Sequence, residues 1–199
     1  MTNEKFLMRW KQRVSVFVIV AFAGALLMAG CGSVANETPT ASDSAAAKTP
    51  TAGGTVHVID YSNSDGARSS VILTGAIGDF GEVVSQHANG AIDLEHNAEL
   101  NLALTQGSFR ISVVGLDKKI VSAFNSLHFN TSTCSGNVSV TGATPVVEGS
   151  GTGSYTGISG NFTLTVTIAE IVPKSNCNVS GAFLAQAVVI TGSGIVSFN

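Results

Sequence analysis

Gly149-Ser150-Gly151-Thr152-Gly153-Ser154-Tyr155-Thr156-Gly157-Ile158-Ser159-Gly160 runs directly into Asn161-Phe162-Thr163-Leu164-Thr165-Val166-Thr167-Ile168. The second half alternates without a break. Phe162, Leu164, Val166 and Ile168 fall on one side, and Thr163, Thr165 and Thr167 on the other. A period of two is that of a β-strand with one buried and one wetter face. The first half is a glycine-rich turn carrying one aromatic, Tyr155. Glycine reaches the positive φ values of tight turns and lets other backbone approach closely. An elaborate turn feeding a strong strand predicts an all-β domain.

The neighbouring sequence repeats this grammar. On the N-terminal side, Asn137–Thr141 and Thr144–Glu148 read as strands. Before them come Thr55–Ser62, Ser69–Ile77, Glu82–Ser85, Ala98–Thr105, Ser108–Val114 and Ser126–Thr131. Gln106-Gly107 joins two of these into the clearest hairpin, with Leu100, Leu102 and Leu104 facing Phe109, Ile111 and Val113. Gly78-Asp79-Phe80-Gly81 reads as a turn. On the C-terminal side, Gly181–Thr191 and Ile195–Phe198 close the chain. Only Asp117–Asn125 has helical spacing, through Ile120, Val121 and Phe124, and it is short. Many short strands with glycine turns predict a single antiparallel β-barrel of about eight strands, with a β-sandwich as the alternative.

Upstream of Thr55 the composition changes. Lys5, Arg9, Lys11 and Arg13 precede an apolar run, Val14–Leu27, which ends in Met28-Ala29-Gly30-Cys31. Basic, then apolar, then small is the order of a secretory signal. The apolar run is short for a membrane-spanning helix, which needs about 20 residues. Residues 31–54 are poor in large apolar side chains, Val34 excepted, and cannot offset the entropy of ordering. They read as a tether of about 23 residues, spanning roughly 25–30 Å on average. The chain thus divides into a signal (1–30), an anchor residue with its tether (31–54) and a β domain (55–199). Four of the ten basic residues and one of the thirteen acidic ones precede Cys31, leaving six against twelve. A mildly acidic domain argues against nucleic acid as a partner.

Two resemblances follow. Ala29-Gly30-Cys31 resembles the bacterial lipobox, whose cysteine is lipidated and becomes the first residue. The pattern departs at Met28, where that family has Leu, Val or Ile. The resemblance implies a lipid anchor on Cys31 and a membrane-attached, extracytoplasmic domain. Gly151, Gly153, Tyr155, Gly157 and Gly160 resemble the Gly-x-Gly-x-aromatic-x-Gly-x-x-Gly turn of bacterial secreted proteins with an allene-oxide-cyclase-like or dirigent-like barrel. That resemblance covers about a dozen positions and implies the barrel fold. The cyclase's catalytic residues do not map onto this chain, so no activity is carried over.

Cys134 and Cys177 remain after Cys31. In an exported domain an even pair predicts a disulfide, here closing a loop of about 44 residues, worth up to roughly 4 kcal/mol in the chain-entropy model. A thiol nucleophile or metal ligand is the alternative. Asp93, Glu95, His96 and Glu99 form the one dense polar cluster, which reads as a solvated loop in preference to a metal site. His57, His87 and His128 are scattered, and His57 and His128 are expected to point into the barrel. Glu148-Gly149-Ser150-Gly151 is one residue short of a nucleophile elbow, and the glycine turn lacks the ending of a phosphate loop. No cofactor or metal is expected. Two functions remain: a non-enzymatic surface-anchored barrel that binds a small apolar ligand or a partner, or a cyclase or isomerase steering an apolar substrate in its cavity.

Overall fold

The computed structural model describes residues 52–63, 68–92, 97–177 and 183–199. The signal, Cys31 and nearly all of the tether lie outside the described residues. Eight strands form one antiparallel sheet. They are β1 (Gly54–Ser62), β2 (Arg68–Gly75), β3 (Asp79–Gln86), β4 (Glu99–Leu104), β5 (Gly107–Ser112), β6 (Ser135–Pro145), β7 (Ile158–Ile171) and β8 (Ala185–Phe198). One helix, α1 (Val114–Asn125), separates β5 from β6. The order across the sheet is β5-β4-β3-β2-β1-β8-β7-β6. Two meanders, β1–β5 and β6–β8, are therefore joined by the pairing of β1 with β8.

The sheet curls so that its inward faces share one core. Register assigns the faces. Val56, Val58 and Asp60 of β1 stand opposite Gly75, Leu73 and Val71 of β2. On the other flank Phe162, Leu164 and Val166 of β7 stand opposite Gly194, Gly192 and Ile190 of β8. Phe162, Leu164 and Val166 are buried, as the alternation predicts, while Ile168 is half-buried. Two glycines are required here. A Cβ on Gly194 would lie 2.5 Å from the Phe162 ring, and one on Gly192 would lie 2.1 Å from the Thr163 carbonyl oxygen. Bare backbone on β8 makes room for the large side chains of β7. Outside, hydroxyls pair across strands, Thr141 with Thr165 at 2.8 Å and Ser139 with Thr167 at 3.0 Å.

The edge strands do not zip together. β5 and β6 meet at one isolated bridge, Ile111 to Val146, which makes the sheet a half-barrel. Two devices fill the gap. The first is the glycine turn. The Val147 N–H donates to the Arg110 carbonyl (2.8 Å), the Thr152 N–H to that of Ser108 (2.8 Å) and the Ser154 N–H to that of Gln106 (2.9 Å). The Ser150 hydroxyl accepts from the Arg110 N–H at 3.0 Å. The turn thus lies along β5 as a strap in place of a ninth strand. The second device is α1. Leu116 and Ile120, at i and i+4, face the core, Leu116 buried and Ile120 half-buried. Leu116 packs over Gly142 of β6, where a Cβ would sit 3.1 Å from its Cδ1. Lys119 Nζ donates to the Thr141 carbonyl at 2.7 Å and so covers part of the β6 edge.

Several boundaries differ from the sequence reading. Asp79 and Phe80 begin β3 and do not form a turn. Ser126–Thr131 is not a strand; only Asn130 makes a bridge, to Ser135. The strands expected at Asn137–Thr141 and Thr144–Glu148 run into one, β6, because Gly142 keeps its pairing with Leu164, and that strand ends at Pro145. The two C-terminal segments are likewise one strand, continued through Gly192 and Gly194. The helix is 12 residues long, begun by Val114 directly at the end of β5.

Candidate functional site

The two ends of the half-barrel differ. At one end the strap carries Tyr155 into the core, where it is fully buried with Phe109 and Phe162. Its ring centroid lies 5.4 Å from that of Phe109. The phenol donates to Asp79 Oδ2 at 2.5 Å. Asp79 also accepts from the Thr105 hydroxyl and from the backbone N–H groups of Phe80 (2.8 Å) and Gln106 (3.1 Å). Burial alone would raise the Asp79 carboxyl, but the donors, Thr105 and Tyr155 foremost, hold it below its usual value. Tyr155 is pushed up, first by burial and then by Asp79. A charged, fully solvated-by-protein carboxylate beneath a packed ring is a lock. Gly151, Gly153, Gly157 and Gly160 flank Tyr155 along the strap. Gly153, Gly157 and Gly160 take φ values of 58°, 76° and 149°, and a Cβ on Gly151 would meet the Tyr155 carbonyl oxygen at 1.9 Å. This end is filled and structural.

The other end has no such lock. Inward-facing Val140, Ile168, Val188 and Ile190, with Ile120 of α1, are half-buried and pack against the core, as Leu104, Val146 and Phe198 do nearer the strap. Val138 and Val166 among them are buried. Asp60 lies beside this group, opposite Ile190 in the β1–β8 register. Asp60 is 2% exposed. Its Oδ2 accepts from the Ser69 hydroxyl at 2.6 Å, and its Oδ1 has no hydrogen-bond partner. Burial pushes this carboxyl up to about 6, with the Ser69 hydroxyl pulling the other way. Ser69 also lines a cleft of about 310 Å³ at the end of the β1–β2 hairpin, together with Tyr61, Asn63, Arg68 and Glu82. The structure therefore places, beside half-buried apolar side chains, one buried acid whose pKa burial pushes up to about 6.

The disulfide is present. Cys134 and Cys177 are bonded, with Cα atoms 4.9 Å apart. The Cys134 carbonyl accepts from the Val172 N–H at 2.9 Å, so the loops after α1 and after β7 are fastened together. The histidine expectation fails. His57 is exposed because it is out of phase with Val56 and Val58, and His128 is exposed in the loop after α1. Of the dense polar cluster, Asp93, Glu95 and His96 lie outside the described residues. Glu99, out of phase with Leu100 and Leu102, is nonetheless buried and is bonded to Arg110 at 2.7 Å. Among the described residues no group of three or more His, Cys, Asp or Glu is placed to hold a metal ion. Asp60 is the residue that sequence reading missed. Its signal was its phase: Val56, Val58 and Asp60 alternate on one face. No protein-family profile, curated protein or solved structure matches this chain.

Proposed function

We propose that the protein is a lipid-anchored extracytoplasmic barrel lipoprotein that binds a small apolar ligand at the end of its curled sheet away from the strap, without catalysing a reaction. The observation that carries this reading is the group of half-buried apolar side chains Val140, Ile168, Val188, Ile190 and Ile120 at the edge of the core. Apolar side chains facing a core and left partly uncovered gain from an apolar occupant. The basic, apolar and small-Gly-Cys order before Cys31 supports the anchor. The Cys134–Cys177 bond accords with an oxidising compartment. The glycine turn keeps its likeness to the allene-oxide-cyclase-like and dirigent-like barrels as a guide to fold only.

Titration with the neutral dye Nile red tests the ligand reading. Saturable binding that weakens in Ile168→Ser is expected; no saturable binding refutes it. Fractionation of Cys31→Ala tests the anchor. Release from membranes, or an unprocessed precursor, is expected, and unchanged fractionation with unchanged mass refutes it. Asp60 favours one second reading, an isomerase-type enzyme. A carboxyl near pKa 6 beside an apolar surface suits proton transfer at neutral pH. Turnover of a bound apolar substrate that disappears in Asp60→Asn would select that reading.

A further inference from the structure

Three outward side chains form one apolar row across the middle of the sheet. Ile59 on β1 stands opposite Ile72 on β2, and Ile72 stands opposite Phe80 on β3. Their exposures are 58%, 55% and 64%. Tyr61 continues the same face of β1, and Ile195, 70% exposed, stands beside Thr55 at the strand's start. The other outward positions nearby are His57, Ser70, Thr74, Val189, Thr191 and Ser193. None is an Asp, Glu, Lys or Arg. The first charges met are Arg68, at the far end of β2, and Glu82 on β3, and these two are paired with each other. Isolated exposed apolar residues are ordinary, but a contiguous row with no unpaired charge beside it marks a docking surface.

Two observations select the occupant. The tether joins the domain at Gly54, the first residue of β1, next to Ile195 and about 17 Å along the strand from Ile59. A tether of roughly 25–30 Å from Cys31 reaches this face without crossing the molecule. The only ionic groups beside the row, Arg68 and Glu82, neutralise each other, while exposed Ile and Phe beside Tyr suit the boundary between headgroups and acyl chains. We propose that the outer face of β1–β3, centred on Ile59, Ile72 and Phe80, rests on the lipid bilayer to which Cys31 anchors the chain. This inference rests on the lipid-anchor reading above.

The mature chain from Cys31 has no tryptophan, since Trp10 precedes it. A single introduced indole is therefore a clean reporter. Lipidated protein carrying Ile72→Trp, placed on phosphatidylcholine vesicles with brominated acyl chains, is expected to shift its emission to shorter wavelength and to be quenched. Ser122→Trp, exposed on α1 at the gap between the sheet's edges, is expected to do neither. Adding Ile59→Glu to the Ile72→Trp protein should return its emission to the lipid-free value. Protein that floats with vesicles while Ile72→Trp stays wet and unquenched overturns the docking and leaves the anchor standing. An Ile72→Trp signal already shifted without lipid, with sedimentation showing a dimer, assigns the face to a second copy and also overturns it. Mature protein that lacks a lipid adduct by mass and does not float removes the anchor, and the docking with it.

Discussion

Removing one oxygen atom at the locked end should separate a charge-assisted bond from simple packing. Tyr155→Phe keeps the ring against Phe109 and leaves no cavity larger than the hydroxyl. It deletes the 2.5 Å bond to Asp79 Oδ2. Hydrogen bonds to charged groups contribute about 1.5–3 kcal/mol. Asp79 keeps Thr105 and the N–H groups of Phe80 and Gln106, so it is not orphaned and the lower part of that range applies. A loss of about 2 kcal/mol at pH 7 corresponds to a fall in Tm of about 4–8 °C for a domain of this size. The sign with pH follows from the lowered carboxyl. Its stabilisation is present above the ordinary value of 3.8 and is lost as pH falls through the still lower folded value. The variant raises that folded value, so its acid-induced loss of stability should begin at higher pH. Once Asp79 is protonated in both proteins, the difference between them should shrink to about 1 kcal/mol or less, the worth of a neutral bond. Urea unfolding followed by far-UV circular dichroism, with equal m values, measures this. A cost below about 0.5 kcal/mol at pH 7, or a cost that stays the same down to the acid limit of the folded range, refutes the lock.

Asp60 should behave in the opposite sense. Its folded value of about 6 lies above 3.8, so its contribution is fully present below 3.8 and declines as pH rises towards 6. Asp60→Asn should therefore stabilise the protein by about 1–3 kcal/mol at pH 7 and flatten the urea midpoint between pH 4 and 6, whereas an unchanged profile would mean that the carboxyl has water or a partner. Leu164→Ala should cost about 2–5 kcal/mol and Thr163→Ala well under that, since the first is covered and the second exposed; equal costs in thermal melts would contradict the one-faced sheet. Gly157→Ala combines a φ of 76° with a Cβ 2.3 Å from the Asn199 carbonyl oxygen, and should lower stability by more than about 1 kcal/mol; a neutral result would show that the C-terminus yields freely. Reduction of Cys134–Cys177 should lower the unfolding midpoint, through a loss of stability of up to about 4 kcal/mol, without altering β content at low temperature; two thiols alkylated in the exported native protein would contradict the bond.

Much of the sheet was legible because its inward side chains keep a strict period of two. β1, β4, β5 and β7 were all found that way, and the faces of Phe162 to Val166 followed from one register. The errors share a cause. Gly142, Gly192 and Gly194 interrupt an apolar pattern and look like turns, yet here they are the thin places of continuous strands, made so by Leu116, Leu164 and Phe162. Asp79 looked like a turn residue because a lone carboxylate beside two glycines usually is one. Its burial depends on donors up to 76 residues away, which no local pattern contains. His57 was misplaced by one position of phase. Asp60 was in phase with the core and was overlooked because charge usually overrides periodicity. The partial exposure of Val140, Ile168, Val188 and Ile190 was not legible at all, since it arises from how far the sheet curls.

The union of β1 with β8 has a consequence for how the chain comes into being. Every other pairing in the sheet joins neighbours in sequence, and those hairpins close locally. β1 meets β8 through contacts such as Gly54 with Val196, separated by 142 positions. A polypeptide made or exported from its N-terminus presents β1 first and β8 last. For that whole interval β1 has β2 on one side and an open edge on the other. The central seam of the finished molecule is thus the last to be sewn. Long-range pairing of this kind is slow, and an unpaired edge invites the wrong partner while it waits.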